Sequence, residues 1–302
     1  MQIGLMLEGQ NGLNWERWRK ILELAERLGF AFVFRSDHFT NAEGPYLDSL
    51  ECWTSLTYAA TATRRIEFGS MVSPITFRHP AMLARAAASI DDLSGGRLVL
   101  GLGAGWQDRE HRNFGVPFYD KRTRHAMFEE GLEVTIRLLR SDDPVKYSGR
   151  YFSLDDAILL PRPQRKTPIL VGGNGPTRTL PLAARFADEW NGVFIPPQTY
   201  KERNELLNKL CEAVARDPKA IKRSLMTQVN FFYDEAELKA APIDAAGMQA
   251  RGIVVGTASQ VIEQIRAFER VGCERIMLQW LALDDLDRLE TLAKDVLPAF
   301  HG

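Results

Sequence analysis

Apolar runs of strand length alternate with stretches of helical spacing from one end of the chain to the other. Residues 2–7 predict a first strand. Asn14 then caps a helix with Trp15, Trp18, Ile21, Leu22, Ala25 and Leu28 on one face, closed by Gly29, where a left-handed backbone costs glycine little. A second strand is expected over 31–35, with a helix over 48–61. A third over 66–72 precedes a helix that Pro80 opens and that ends near Leu93, before Gly95 and Gly96. Residues 97–101 predict the fourth strand, answered by a long helix over 122–140.

The rhythm then breaks. Residues 141–166 hold Pro144, Gly149, Pro161 and Pro163 around two short β-like pieces. The stretch is too long for an ordinary connection and is expected to lie over the mouth of the fold. Strands resume over 168–172, 190–194 and 225–232, with a helix over 200–216 stopped by Asp217-Pro218. After a second excursion, 233–255, Thr257 and Gln260 fit a capping box for a helix with Val261, Ile265 and Phe268 inward. Residues 275–280 read as the eighth strand, and Leu286, Leu289, Leu292, Ala293 and Val296 share one face of the last helix. Eight strands, each with a helical partner and nearly continuous apolar runs, predict one (β/α)8 TIM-barrel domain over 1–302 in the α/β class.

Composition agrees with that length and excludes some partners. The 302 residues include 45% hydrophobic ones, enough for a large core. With 38 Lys+Arg against 39 Asp+Glu there is no concentrated basic face, which argues against nucleic acid. The start of the chain lacks the pattern of a secretory signal and no stretch reaches membrane-spanning length, so no membrane is expected and the cytoplasm is the expected compartment. Cys52, Cys211 and Cys273 have no CxxC pairing and read as free core thiols.

In such a barrel the chemistry sits where the strands end at their carboxyl termini. There the sequence places Ser36-Asp37-His38-Phe39, then Met71, Val72, Ser73 and Pro74, then Gly101-Leu102-Gly103-Ala104-Gly105-Trp106, then Gly172-Gly173-Asn174-Gly175. The last turn suits an anion such as phosphate, because glycines let backbone N–H groups approach closely ahead of a helix, which begins at Pro176 or, given Pro181, near Thr179. The alternative is a tight turn without a ligand. Gly103, Ala104 and Gly105 suit close approach to a flat ring, or simply a turn needing small residues; Trp106 stands where a dinucleotide fingerprint wants its third glycine. His38 follows a strand beside Asp37, which could set its tautomer or raise its pKa for proton exchange.

Metal chemistry finds no HxH, no HExxH and no carboxylate cluster, and Glu110 and His111 diverge if helical. No GxSxG elbow occurs and no lysine ends a strand, which removes the hydrolase and aldolase readings.

At these same residues the chain resembles the luciferase-like flavin and deazaflavin oxidoreductases, most closely the branch dependent on coenzyme F420, a 5-deazaflavin. The resemblance runs over nearly the whole chain through residues 36–39, 69–74 with Pro80, 101–106 with Glu110 and Phe114-Gly115, 149–152, 161–163 leading into Gly172-Gly173, and 187–190. It implies a bulge at Met71-Val72, commonly a non-proline cis peptide, behind the central ring of the cofactor. It implies further that Asp37, Gly103, Ala104 and Gly105 flank the ring, that Gly172, Gly173, Asn174 and Gly175 hold the phosphate, and that His38 acts on the substrate. Trp106 and Glu110 are the expected substrate-pocket residues. The sugar-phosphate dehydrogenases of the family carry a tryptophan four residues after the histidine and a glutamate directly after the strand-four glycines, where this chain has Ala42 and Trp106.

A different small organic substrate is therefore expected, exchanging hydride with F420. An FMN-dependent monooxygenase, supplied by a reductase, is the alternative, and a non-catalytic flavin-binding protein is a third reading. The family resemblance also suggests a homodimer.

Overall fold

Strands whose two faces are both apolar must be covered on both, and the computed structural model, which describes residues 1–300, shows how. Strands β1 (Gln2–Leu7), β2 (Phe32–Arg35), β3 (Glu67–Ser70), β4 (Leu98–Gly103), β5 (Ile169–Gly172), β6 (Glu189–Val193), β7 (Lys222–Phe231) and β8 (Arg275–Gln279) pair in chain order, all parallel. β8 returns to β1, with Gln2 opposite Arg275 and Met6 opposite Gln279, and closes the barrel. Helices α1 (Trp15–Leu28), α2 (Cys52–Ala62), α3 (Pro80–Leu93), α4 (Lys121–Arg140), α5 (Thr179–Phe186), α6 (Pro197–Ala213) and α7 (Ala258–Arg270) connect successive strands, α8 (Leu286–Val296) follows β8, and together they form the outer ring.

The side-chain period of two divides the core. Met6, Phe32, Phe34, Met71, Val99, Leu170, Met226 and Met277 pack together inside the barrel, while Leu5, Leu7, Val33 and Leu100 face the helices. At the amino end of the strands Arg275 plugs the barrel. Its guanidinium bonds Glu189 and Glu67 at 2.6 Å each and lies 4.2 Å over the Phe32 ring.

Local signals set most helix ends. Asn14 accepts the Arg17 N–H at 3.1 Å, Gly29 takes φ of 93°, and Thr257 with Gln260 completes the expected capping box. α2 starts at Cys52, later than the apolar spacing predicts, because the Glu51 carboxylate caps Thr54 N–H at 2.6 Å. α5 starts at Thr179, which puts Pro181 in the first turn, where no intrahelical N–H is needed.

The first excursion does not line the cavity at the barrel mouth, contrary to expectation. Residues 141–166 contain an antiparallel hairpin, Val145–Ser148 with Ser153–Ala157, laid along the flank of α4. The Glu130 carboxylate explains that position, accepting the N–H groups of Arg150, Tyr151 and Phe152 at 3.0, 2.9 and 3.3 Å. The second excursion forms two short helices and a strand, Val254–Gly256, that extends the sheet beside the end of β7.

Candidate functional site

β3 ends at Ser70, and the next peptide, Met71-Val72, is cis. Ser73 and Pro74 then pair with Leu102 and Gly103 of β4. The bulge drives the Val72 side chain across the strand ends, and three glycines make room for it. A Cβ at Gly103 would lie 2.5 Å from Val72 Cγ2, one at Gly101 only 1.9 Å from Ser70 O, and one at Gly172 3.2 Å from Val72 Cγ1. These glycines clear space for the bulge as much as for a ligand. Gly105 has φ of 77°, a left-handed conformation open to glycine.

A cavity of about 540 Å³ opens here, a volume that suits a small molecule or cofactor. His38, Met71, Val72, Gly103, Ala104 and Gly105 line it, with Trp106, Gly172 and Gly173. Segments distant in sequence thus meet on one rim, as the strand-end reading predicts. Trp106 is 64% exposed and stands edge-on to His38 at 5.6 Å between centroids.

Asp37, Glu110, Asn174 and Gly175 lie outside the lining. Asp37 is the neighbour of His38 in sequence but not its partner. Successive residues at a strand end point oppositely, so Asp37 turns away and is buried against Arg78 (2.6 and 3.2 Å) and the Ser73 hydroxyl (2.6 Å). The partner of His38 is Glu110, on a short helix Asp108–Asn113. Its carboxylate, fully buried, lies 2.8 Å from His38 Nδ1 and accepts the Phe39 N–H at 2.8 Å. It therefore sits behind the histidine, outside the cavity lining, where a substrate-pocket residue was expected. Burial pushes the His38 pKa down. The hydrogen bond and charge of Glu110, with smaller contributions from Glu8 and Asp37, outweigh that and hold it above the ordinary 6.5. His111 points elsewhere, to Gln107 O and Thr76 Oγ1 at 2.7 Å each, so the adjacent pair diverges as expected.

Asn174 ties its turn to β6, donating to Val193 O at 2.7 Å and accepting Val193 N–H at 2.9 Å. Gly173 N–H is likewise spent on Asn191 O at 2.9 Å. What remains for an anion comes partly from residues that strand-end reading missed. Lys121, Arg124, His125 and Phe128 of α4 line the cavity beside Thr179. Their spacing of three, one and three was the available signal, a single helix face. His125 Nδ1 is buried without a partner, and burial first, then Arg178, Lys121 and Arg124, lower its pKa. Arg124 donates to Gly105 O at 3.1 Å and to Tyr119 O.

Glu8 and Gln10, after β1, were missed too, because the end of that first strand was not read for chemistry. Glu8 accepts Gln279 Nε2 at 2.6 Å and Gln10 Nε2 at 2.8 Å. Among the described residues no three His, Cys, Asp or Glu side chains are placed to hold a metal, and no helix is long and apolar enough to cross a membrane.

The family model described as luciferase-like monooxygenase matches residues 1–242. The F420-dependent glucose-6-phosphate dehydrogenase of Beutenbergia cavernae is 30% identical over 279 residues, covering 87% of this chain and 79% of that protein. The 4-hydroxyprotoasukamycin monooxygenase of Streptomyces nodosus subsp. asukaensis is 33% identical over 202 residues, 65% of this chain and 53% of that one. Among solved structures, an F420-dependent secondary alcohol dehydrogenase in complex with an F420-acetone adduct superposes with a TM-score of 0.86 over 100% of this chain and 99% of that one, at 22% identity.

Proposed function

The chain belongs to the luciferase-like monooxygenase family, and from that membership we propose that it is an F420-dependent oxidoreductase acting on a small organic substrate, with His38 exchanging a proton. The observation that carries this reading is one cavity whose parts differ in kind. A wall of small residues, Val72, Gly103, Ala104 and Gly105, would border a planar ring, and a helix face carrying Lys121 and Arg124 beside an unpartnered His125 nitrogen would receive an anionic tail. Full-length relatives named F420-dependent dehydrogenases support the choice of cofactor. When bound, a deazaflavin supplies a ring carbon that carries hydride and reacts poorly with oxygen.

The residues would divide the work. Met71 and Val72 back the ring, and Gly103, Ala104 and Gly105 border it. Gly172, Gly173 and Thr179, with Lys121, Arg124 and His125, hold the phosphate. Asn174 and Gly175 shape that turn, and Asp37 braces the bulge through Ser73. Glu110 orients His38 so that Nε2 faces the cavity and Nδ1 keeps its hydrogen bond, a positioning role. Trp106 shields that side from water.

Titration with F420 and with FMN, followed by gel filtration and absorbance near about 400–450 nm, tests the reading. Retention of F420 is expected. Tight retention of FMN alone would instead favour a monooxygenase working with a reductase, a reading that the relative from Streptomyces nodosus supports. Retention of F420 without turnover of any alcohol or carbonyl compound would leave a cofactor-binding protein. A homodimer and a cytoplasmic location complete the proposal; light scattering checks the first.

A further inference from the structure

We propose that the substrate facing His38 is an uncharged alcohol or carbonyl compound with an apolar body, and that Glu8 turns anionic substrates away. The inference rests on the F420 reading above. Strand order arranges the rim. β1 and β2 present Glu8, Gln10 and His38, whereas β5, opposite β1 in an eight-stranded barrel, presents Gly172 and Gly173. The lysine and arginine of the cavity, Lys121 and Arg124, both stand on α4, which leads into β5. Positive charge lies where an anionic cofactor tail is held. Negative charge lies beside the proton-exchanging histidine.

Glu8 is held by neutral donors. Gln279 and Gln10 each donate an amide N–H to it, and Gln10 in turn accepts the Ser36 hydroxyl at 2.7 Å. These bonds orient the carboxylate without cancelling its charge, and among the described residues Glu8 has no ion-pair partner. Arg78 is paired with Asp37 and Glu51, Arg17 with Asp284, and Arg288 with Glu237 and Asp285; among the described residues Lys121 and Arg124 are the only lysine and arginine lining the cavity. A phosphoryl or carboxylate group beside His38 would face Glu8, while Lys121 and Arg124 stand on the α4 side with the cofactor tail, and that juxtaposition is costly. A hydroxyl, in contrast, finds an acceptor there. Met6, Met226, Val193 and Phe194 supply apolar wall for a hydrocarbon body. On this reasoning the chain parts from its sugar-phosphate-oxidising relatives in substrate while sharing their fold.

Calorimetric titration of the F420-loaded protein with cyclohexanol and with glucose 6-phosphate tests it, with F420 retention measured separately. Cyclohexanol is expected to bind, and glucose 6-phosphate about tenfold or more weaker. Glu8→Gln should close about tenfold of that gap, and Glu8→Asp, which keeps the charge, should not. Glucose 6-phosphate binding as tightly as cyclohexanol, no binding of cyclohexanol, or a Glu8→Gln variant with the gap intact would each overturn the proposal. Failure to retain F420 removes the premise, and the proposal with it.

Discussion

Replacing Glu110 by glutamine should lower the pKa of His38 and weaken the fold most at acid pH. The substitution keeps the shape of the side chain and an oxygen for the Phe39 N–H, but removes the negative charge 2.8 Å from His38 Nδ1. Burial, the largest influence on His38, pushes its pKa down and in the native protein is outweighed chiefly by Glu110. Without the carboxylate, burial wins and the imidazole titrates below its ordinary range. A buried, charge-assisted hydrogen bond contributes about 1.5–3 kcal/mol, and the stability loss should fall in that range.

The pH dependence follows from the sign. A histidine whose folded pKa is raised contributes stability that is fully present below its unfolded value of about 6.5 and lost as pH rises through the folded value. The gap between native and Glu110→Gln protein should therefore be widest near about pH 5.5 and narrow by about pH 9. Urea unfolding at several pH values measures the gap. Histidine Cε1 NMR, with His38 assigned through His38→Asn, measures the titration directly. A gap that widens with pH, or an unmoved His38 titration, refutes the argument.

Three further outcomes are expected. Gly103→Ala places a Cβ 2.5 Å from Val72 Cγ2 and should cost about 1–3 kcal/mol by overpacking while weakening flavin retention; unfolding midpoints and cofactor titration check both. Trp106→Ala removes a side chain 64% exposed, so stability should change by less than about 0.5 kcal/mol while the KM for an apolar substrate rises; a large loss of stability would place Trp106 in the core instead. Glu189→Ala leaves the buried Arg275 with only Glu67 and should destabilise by about 3–5 kcal/mol without touching the cavity; denaturant unfolding with unchanged cofactor affinity is the check.

The barrel was legible because its signals are local and repeated. The apolar run of 2–7 and the caps at Asn14, Gly29, Pro80 and Thr257 each state an element within a few residues. Boundaries slipped where a side chain from the same turn intervened, as Glu51 did at α2. Positions at the site were legible to the extent that strand ends must share a rim, which brought His38, Val72, Gly103, Ala104 and Gly173 together. The family resemblance led to the cis peptide at Met71-Val72. No local pattern announced it.

Partnerships were not legible. Asp37 beside His38 looked like the pair, but adjacency along a strand end separates side chains, and Glu110 reaches the imidazole from 72 residues away. The excursion at 141–166 read as a lid because of its length, yet Glu130 on α4 gives its N–H groups a place along the flank. The short helices Asp108–Asn113, Glu235–Ala240 and Ala245–Ala250 were not readable from the residues alone, whereas the eight barrel strands, their partner helices and the polar and glycine-rich strand ends were. Such information is written in short-range periodicity and backbone preference. It took the closed barrel to settle which carboxylate holds His38, where Lys121 and Glu8 stand around the cavity, and which glycines yield to Val72. Closing a barrel sets distances between residues far apart in the chain, and hydrogen bonds and charges act through those distances.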